Sequence, residues 1–469
     1  MNSITELLNL EDSDIIISDI AIQGTVKTLT LETLPTAHFC PSCGFRMHSK
    51  GIKKRTIKHP ILQDNYELIL ILKQRRWKCT NPECNYDISD TFRFVNKRRR
   101  TTNATDMLIV YAYRNLMETT TSIAARFHVS DTHAHEVFDR YVKMDRLSLT
   151  DAICIDEVYL DMDEYCKYAL IIQDFHTGDP IDLLRSRRAS VTEPYFVAIP
   201  IEERNGVKYL ISDMYNQYIS YVDKYFPNAV SVIDSFHVIQ WMIRMIDNYI
   251  RQLLKKFRQR DRELEEKLSL EEQRPVSLPP SDEVYLLQKY RWLVLANQSS
   301  ITYHAGPRID PHFRCLMNTY DYEDALFRID PNLKDFRDLK EIYIQFNSRN
   351  AGKPLEAQKE LDTLIFKYQN SEHEIFRNFG DLLETYKDYI INSFIMVEKH
   401  GFGKVYNSRL SNGPIESINR KVKDLKRSGR GFRNFEHFRN RFLYAARQAP
   451  ILNGTPDSNP VLYFDEDDN

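Results

Sequence analysis

Two pairs of closely spaced cysteines, Cys40 and Cys43 in HFCPSCG and Cys79 and Cys84 in WKCTNPECN, limit what the N-terminal part of this chain can become. Each pair lies in a turn-forming context of Pro, Gly or Asn, so its thiolates can converge on one centre, and four thiolates complete a tetrahedral Zn²⁺ site. Between the pairs, RTIKHPI and NYELILILKQRRWKC alternate and carry β-branched residues, which predicts a small ribbon with the cysteine knuckles at its ends. Such a ribbon buries too little core to fold unaided, and the metal supplies the missing free energy. A closed four-cysteine site has no open position, so this zinc is expected to be a structural staple. The bland alternative is four independent buried thiols. Seven cysteines in 469 residues are too few and too uneven for a disulfide framework.

A chain of this length has room for two to four domains. Its first residues lack a basic leader region and no stretch approaches 18 consecutive apolar residues, so the expectation is a cytoplasmic protein without a membrane span. The formal net charge of −2 conceals segregation. Residues 37–100 carry 15 Lys or Arg against 5 Asp or Glu, and residues 401–450 carry 12 against 3, while the middle of the chain and the EDDN tail are acidic. Basic segments at both ends suit a protein that holds a polyanion, although a single basic run is as readily a solvated surface.

After the cluster Lys97, Arg98, Arg99 and Arg100, the period changes to helical. A helix is expected from about Thr121 to His128, a turn through Val129 and Ser130, and a second helix from near Asp131. Ile123, Ala124 and Phe127 fall on one face of the first, and Ala134, Val137, Phe138 and Tyr141 on one face of the second. This is either an ordinary helical hairpin or a helix-turn-helix whose second helix would offer Thr132, His133 and His135 to the DNA major groove.

From residue 150 the pattern reads strand, strand, strand, helix, strand, helix, strand, the order of a ribonuclease-H-like α/β domain. Residues 238 to about 398 then read as long amphipathic helices broken at PVSLPPSD and again around 301–311, an all-helical insertion, and the α/β part resumes near 405. The fold class expected is multidomain α/β. Its order is an N-terminal segment (1–36), a zinc ribbon (37–95), a helix-turn-helix (96–148), the catalytic domain (149–237), the helical insertion (238–400), a C-terminal helix returning to the catalytic domain (401–450) and a tail (451–469).

Within this frame three acids stand out. Asp156 interrupts the apolar strand ICIDEVYL, where a partly buried carboxylate is costly unless a cation or hydrogen bonds compensate it. Asp213, in YLISDMY, closes the fourth strand, which in this strand order lies beside the first. Two carboxylates at neighbouring strand ends make a seat for Mg²⁺ or Mn²⁺. Glu416 follows Gly413 and Pro414, which read as the cap and first residue of a helix, and on spacing alone it is a third-position capping glutamate. Arg420 and Lys423, at i+4 and i+7 from it, share its face. Lys426, Arg427, Arg430 and Arg433 continue the positive charge, so one helix would present a metal ligand beside a row of phosphate contacts. Asp234 and His237, one turn apart in VIDSFHVIQW, either bind or orient something or merely cap a helix and pack beside Trp241. Asp161, Asp163 and Glu164 read as turn residues, and Glu157 should face the other side of its strand, in solvent.

IDEVYL, ISDMYNQY, VIDSFHVIQ and SNGPIESINRKVKDLKRSGRGFRNFEHFRNR together resemble the bacterial insertion-sequence transposases of the ISL-three family over nearly the whole chain. The resemblance implies a zinc ribbon, a helix-turn-helix and a ribonuclease-H-like domain with an Asp-Asp-Glu triad of Asp156, Asp213 and Glu416, Asp234 and His237 being auxiliary. It also implies metal-dependent cleavage and strand transfer at terminal inverted repeats of double-stranded DNA, by a homodimer or larger assembly at the bacterial nucleoid. Two alternatives remain: a non-catalytic zinc and helix-turn-helix DNA-binding regulator, which has no reason to keep the three acids, and a nuclease without strand transfer.

Overall fold

The computed structural model describes residues 8, 10, 12, 14–34, 36–60, 66–303, 306–401 and 403–452. The acidic end of the tail lies outside them. At the N-terminus, β1 (Ile15–Gln23) and β2 (Val26–Thr33) form a hairpin, and β3 (Met47–His59) and β4 (Glu67–Cys79) a long antiparallel ribbon. The short β5 (Asp87–Ser89) pairs with β4, and β2 lies parallel to β4, so the strand order is β1-β2-β4-β3. Residues 1–36, set apart from the ribbon on sequence, thus contribute two strands to its sheet. The reason is visible in the packing: Leu68, Leu70 and Leu72 project from one face of β4 and are buried with Leu29 and Leu31 of β2 and with Phe92, Phe94 and Val95. Without β2 that alternating row would lie open to water.

Three helices follow, α1 (Asn103–Ala112), α2 (Thr120–Arg126) and α3 (Asp131–Tyr141). Thr119 and Ser122 form a capping box on α2, and the Ser130 side chain caps α3 by accepting from the His133 amide at 3.2 Å. The first helix of the expected pair ends at Arg126, because His128 turns into the left-handed region with φ of 54°. Ile123, Ala124, Ala134, Val137, Phe138 and Tyr141 are all buried, as their helical spacing requires.

The central sheet contains β6 (Ala152–Tyr159), β7 (Tyr168–Asp174) and β8 (Pro180–Leu184) as an antiparallel meander. After α4 (Ala189–Ala198) and α5 (Ile201–Asn205), β9 (Tyr209–Ser212) pairs parallel to β6. After α6 (Asn216–Tyr225), β10 (Val230–Ile233) pairs parallel to β9, giving the order β10-β9-β6-β7-β8. Alternation along β6 sends Ile153 and Ile155 to a core with Phe196, Tyr218 and Tyr221, and Ala152, Cys154 and Val158 to the opposite face.

α7 (Ser235–Glu271) has 37 residues, about 55 Å at the α-helical rise. It buries Val238, Met242, Ile246, Ile250 and Leu254 at intervals of four and ends just before the Pro-rich break. With it pack α8 (Asp282–Tyr290), α9 (Trp292–Leu295), α10 (Thr319–Ile329), α11 (Asn332–Arg349), α12 (Pro354–Gln369), α13 (Glu374–Thr385) and α14 (Lys387–Asn392) in one core, and an exposed hairpin of β11 (Arg308–Ile309) and β12 (Leu316–Met317) lies between α9 and α10 in the chain. The chain then returns to the sheet, where the Asn392 side chain donates to the Ser231 carbonyl at 2.9 Å. A hairpin of β13 (Met396–Gly401) and β14 (Lys404–Arg409), not anticipated from sequence, leads into α15 (Gly413–Gly429), and α16 (Phe435–Ala446) follows. Ile415, Ile418, Val422 and Leu425 of α15 are buried against the Cys154 and Val158 face of the sheet. Arg441 of α16 reaches back to the Asn115 carbonyl at 2.6 Å, tying the C-terminal part to the loop between α1 and α2.

Candidate active site

The sheet register places two of the acids side by side. Cys154 pairs with Ile211 across β6 and β9, and Asp156 and Asp213 each lie two residues further on, so both carboxylates leave the same end of neighbouring parallel strands. Both are half-buried. Desolvation pushes the Asp156 carboxyl up to about 6; the Glu157 amide at 2.8 Å and Asn419 oppose the rise, and the neighbouring charge of Asp213 adds to it. Asp213 is raised by burial too and by Glu157, although it accepts from the Tyr215 amide at 3.0 Å. Two desolvated acids that repel each other and resist ionisation form a site in want of positive charge.

α15 lies across this end of the sheet. The Asn419 side-chain amide donates to Asp156 Oδ2 at 2.6 Å, and Glu416 sits one turn earlier on the same helix, about 4.5 Å of rise away. Glu416 is exposed. The helix starts at Gly413, one residue before the expected start, with Asn412 at the cap position. No side chain caps it: Asn412 is fully buried and its amide points at the Ile155 carbonyl at 3.5 Å. Glu416 is therefore the fourth helical residue and takes no part in a capping box.

Asp234 caps α7, accepting from the Phe236 amide at 3.2 Å. His237, in the first turn of that helix, lowers the carboxyls of both Asp156 and Asp213, so its ring is within electrostatic range of the pair. Trp241, one turn further on, stacks on Phe379 with centroids 6.0 Å apart. Among the described residues, His237 Nε2 and Asn419 Oδ1 are buried without a hydrogen-bond partner. A hydrated divalent ion beside Asp156 and Asp213 would lower the cost of the paired charges and offer those atoms water to bind, whereas among the described residues Glu416 does not join the two aspartates in a cluster of three ligand atoms within 4.8 Å of one another.

Glu157 corrects one expectation. It faces the opposite side of β6, as alternation requires, but it is not free in solvent: Arg187 pairs with it and Tyr218 Oη donates to it at 2.7 Å. Asp163 behaves as a turn residue, accepting from the Tyr165 and Cys166 amides at 2.8 and 2.9 Å. In the sequence Asn419 carries no charge signal within a basic helix, and its spacing of three from Glu416 is what points to it.

At the N-terminal sheet Cys40, Cys43, Cys79 and Cys84 converge, with all four sulfurs within 4.8 Å of one another. Cys40 and Cys84 are 3.8 Å apart and Cys43 and Cys79 3.4 Å. Tetrahedral zinc with bonds near 2.3 Å has sulfur edges of about 3.8 Å, so these four could hold a metal ion. The Asn81 amide points at Cys79 Sγ at 3.4 Å, the backbone turn of the second knuckle.

The basic residues fall into two groups. Lys97, Arg98 and Arg100 are exposed and Arg99 half-buried. Arg100 shares a surface cavity of about 380 Å³ with Lys58, His128, Ser130, Thr132 and His133, at the start of α3. Thr132 is exposed there, whereas His133 leans inward to Thr101 at 3.1 Å and His135 stacks on His437. On α15, Arg420, Lys423 and Arg427 are exposed, as are Arg430 and Arg433 beyond it, while Lys426 donates to the Asp161 carbonyl at 3.3 Å.

Comparison with known proteins bears on what this arrangement does. A family model described as transposase, the DDE type of the ISL3 group, matches residues 153–442, from β6 through α16. The chain is also similar to the transposase for insertion sequence element IS1001 of Bordetella parapertussis, with 21% identity over 426 residues, which cover 88% of this chain and 90% of that protein. Among the described residues, no helix is long and apolar enough to cross a membrane.

Proposed function

Starting from the membership of this chain in the ISL3-type DDE transposase family, we propose that it cuts and joins DNA at the ends of its own insertion sequence through Asp156, Asp213 and Glu416. The observation that carries this is the hydrogen bond from Asn419 to Asp156, which holds the Glu416 helix against the strand ends that bear the two aspartates. The strand order of the central sheet supports a ribonuclease-H-like core, with residues 149–237 and 401–450 as its two parts and the helices of 238–400 as an insertion between them.

Asp156, Asp213 and Glu416 would hold Mg²⁺ or Mn²⁺. When bound, such ions activate a water or a 3′-hydroxyl and stabilise the departing oxygen. The residues of the chain do the positioning. Asn419 fixes the Asp156 carboxylate by one amide proton, leaving the second oxygen to the Glu157 amide. His237 stands in the first turn of α7 beside both aspartates, and Asp234 caps that helix. The exposed cations of α15 would track the phosphate backbone past the site, since each Lys or Arg at a phosphate releases a counterion.

The four cysteines would hold Zn²⁺ as a structural clamp on the N-terminal sheet, and α2 and α3 would form a helix-turn-helix. Double-stranded DNA would lie along the cavity between Arg100 and Thr132, reading the terminal inverted repeats. The protein would act as a homodimer or larger assembly at the nucleoid. A cleavage and strand-transfer assay on end-containing DNA with Mg²⁺ or Mn²⁺ tests the proposal. Cleaved ends joined to a second duplex are expected; salt-sensitive binding without cleavage would favour a regulator, and hydrolysis without joining a nuclease.

A further inference from the structure

A third group of metal-ligating side chains lies apart from the carboxylates and the cysteines. His135 and Asp139 stand one turn apart on α3, and His437 comes from the first turn of α16, 298 residues beyond Asp139. The Nδ1 of His437 is 2.6 Å from one oxygen of Asp139 and the Nδ1 of His135 is 3.1 Å from the other. The two rings stack with centroids 3.9 Å apart and planes inclined by 13°. One ligand atom from each residue lies within 4.8 Å of the others. Phe138 meets the His437 ring edge-on at 5.2 Å, His437 is 6% exposed, and a cavity of about 370 Å³ opens beside both histidines.

The convergence of both Nδ1 atoms on one carboxylate, with the rings parallel, is the donor arrangement of a two-histidine, one-carboxylate centre. Bonds of about 2.0–2.1 Å in a tetrahedral site set ligand atoms about 3.3 Å apart. The separation of 3.1 Å is already close to that, and the separation of 2.6 Å reaches it when His437 and Asp139 move apart by about 0.7 Å. A divalent ion lets both imidazoles bind as neutral donors, and the carboxylate offsets part of its charge, whereas two protonated stacked rings would repel each other. The adjoining cavity has room for water at the remaining coordination positions.

We propose that His135, Asp139 and His437 bind a divalent transition-metal ion of the Zn²⁺ class. Imidazole donors favour Zn²⁺, Co²⁺ or Ni²⁺ over Mg²⁺, so this site and the oxygen-ligand site would take different metals from the same solution. The ion ties α3 to α16, two helices that no chain connection brings together, and so fixes the N-terminal helices relative to the segment that carries Glu416.

The test uses the full-length protein as purified, without metal stripping, dialysed against micromolar Zn²⁺ in the presence of millimolar Mg²⁺, with bound zinc counted by mass spectrometry. Wild type is expected to bind one equivalent more than Asp139→Asn, His437→Gln or His135→Gln, each of which keeps the cysteine-held equivalent. Co²⁺ loading separates the two sites, because cysteine ligands give strong sulfur-to-metal charge-transfer bands and the histidine site does not. His135→Gln guards against misfolding, since it leaves the His437–Asp139 contact in place. Equal zinc in wild type and His135→Gln, or only the cysteine-held equivalent in wild type, would overturn the proposal and leave a hydrogen-bonded triad.

Discussion

Replacing Asp156 by Asn tests the electrostatic account of the site without any DNA. In the folded protein this carboxyl keeps its proton up to a pH of about 6, against an ordinary value of 3.8. Below 3.8 both the folded and unfolded chains are protonated and there is no penalty. Between the two values the folded chain holds the extra proton, so stability falls as pH rises, and above 6 the loss is complete. A difference of about two pK units corresponds to about 3 kcal/mol. Asp213, raised for the same reason, adds in the same direction. Asn at 156 cannot ionise; its one acceptor oxygen keeps the bond from Asn419 and gives up the one from the Glu157 amide, which offsets part of the gain. Without added Mg²⁺ or Mn²⁺, Asp156→Asn is therefore expected to unfold several degrees above wild type at pH 7 and at the same temperature at pH 4. Thermal unfolding across pH 4–8 measures this. Millimolar Mg²⁺ should then raise wild type at pH 7 and leave the variant unmoved. Parallel pH curves for the two proteins, or a variant less stable than wild type at pH 7 without metal, would refute the reasoning.

Further outcomes follow from other contacts. Asn419→Ala removes the hydrogen bond that orients Asp156, and loss of such an outer partner should weaken Mg²⁺ dependence or activity about 10- to 100-fold, read from cleavage rates against metal concentration. Cys84→Ser should release the metal of the N-terminal sheet and expose β3 and β4 to proteolysis, leaving the C-terminal fragment resistant; an intact zinc content would argue against the clamp. Lys423→Ala and Arg420→Ala should weaken DNA binding alike on all sequences, each reducing the salt slope by about one.

Much of this was legible in the sequence because it follows from period. The strands 152–159, 168–174 and 209–212 and the buried faces of α2 and α3 announce themselves through alternation or helical spacing, and the cysteine pairs through their turns. What was not legible depends on partners distant in the chain. The parallel pairing of β2 with β4 has no local signature, and neither does the β13–β14 hairpin, whose sequences MVEKHG and KVYNSR do not alternate apolar with polar residues. The acid at 157 looked solvated because its partners Arg187 and Tyr218 lie 30 and 61 residues away. His135 looked like a groove-facing residue until α16 brought His437 against it. The start of α15 was misplaced by one residue because Asn412, an ordinary capping type, spends its side chain on β6 instead.

The most direct test of the central claim is the rate of end cleavage by Glu416→Gln, measured with Mg²⁺ beside its affinity for the same DNA. Unchanged affinity is expected, because Gln keeps the helix and its cations, together with a loss of cleavage on the order of a hundredfold or more, comparable to removing a group that stabilises developing charge. Cleavage by Glu416→Gln at the wild-type rate would contradict that claim.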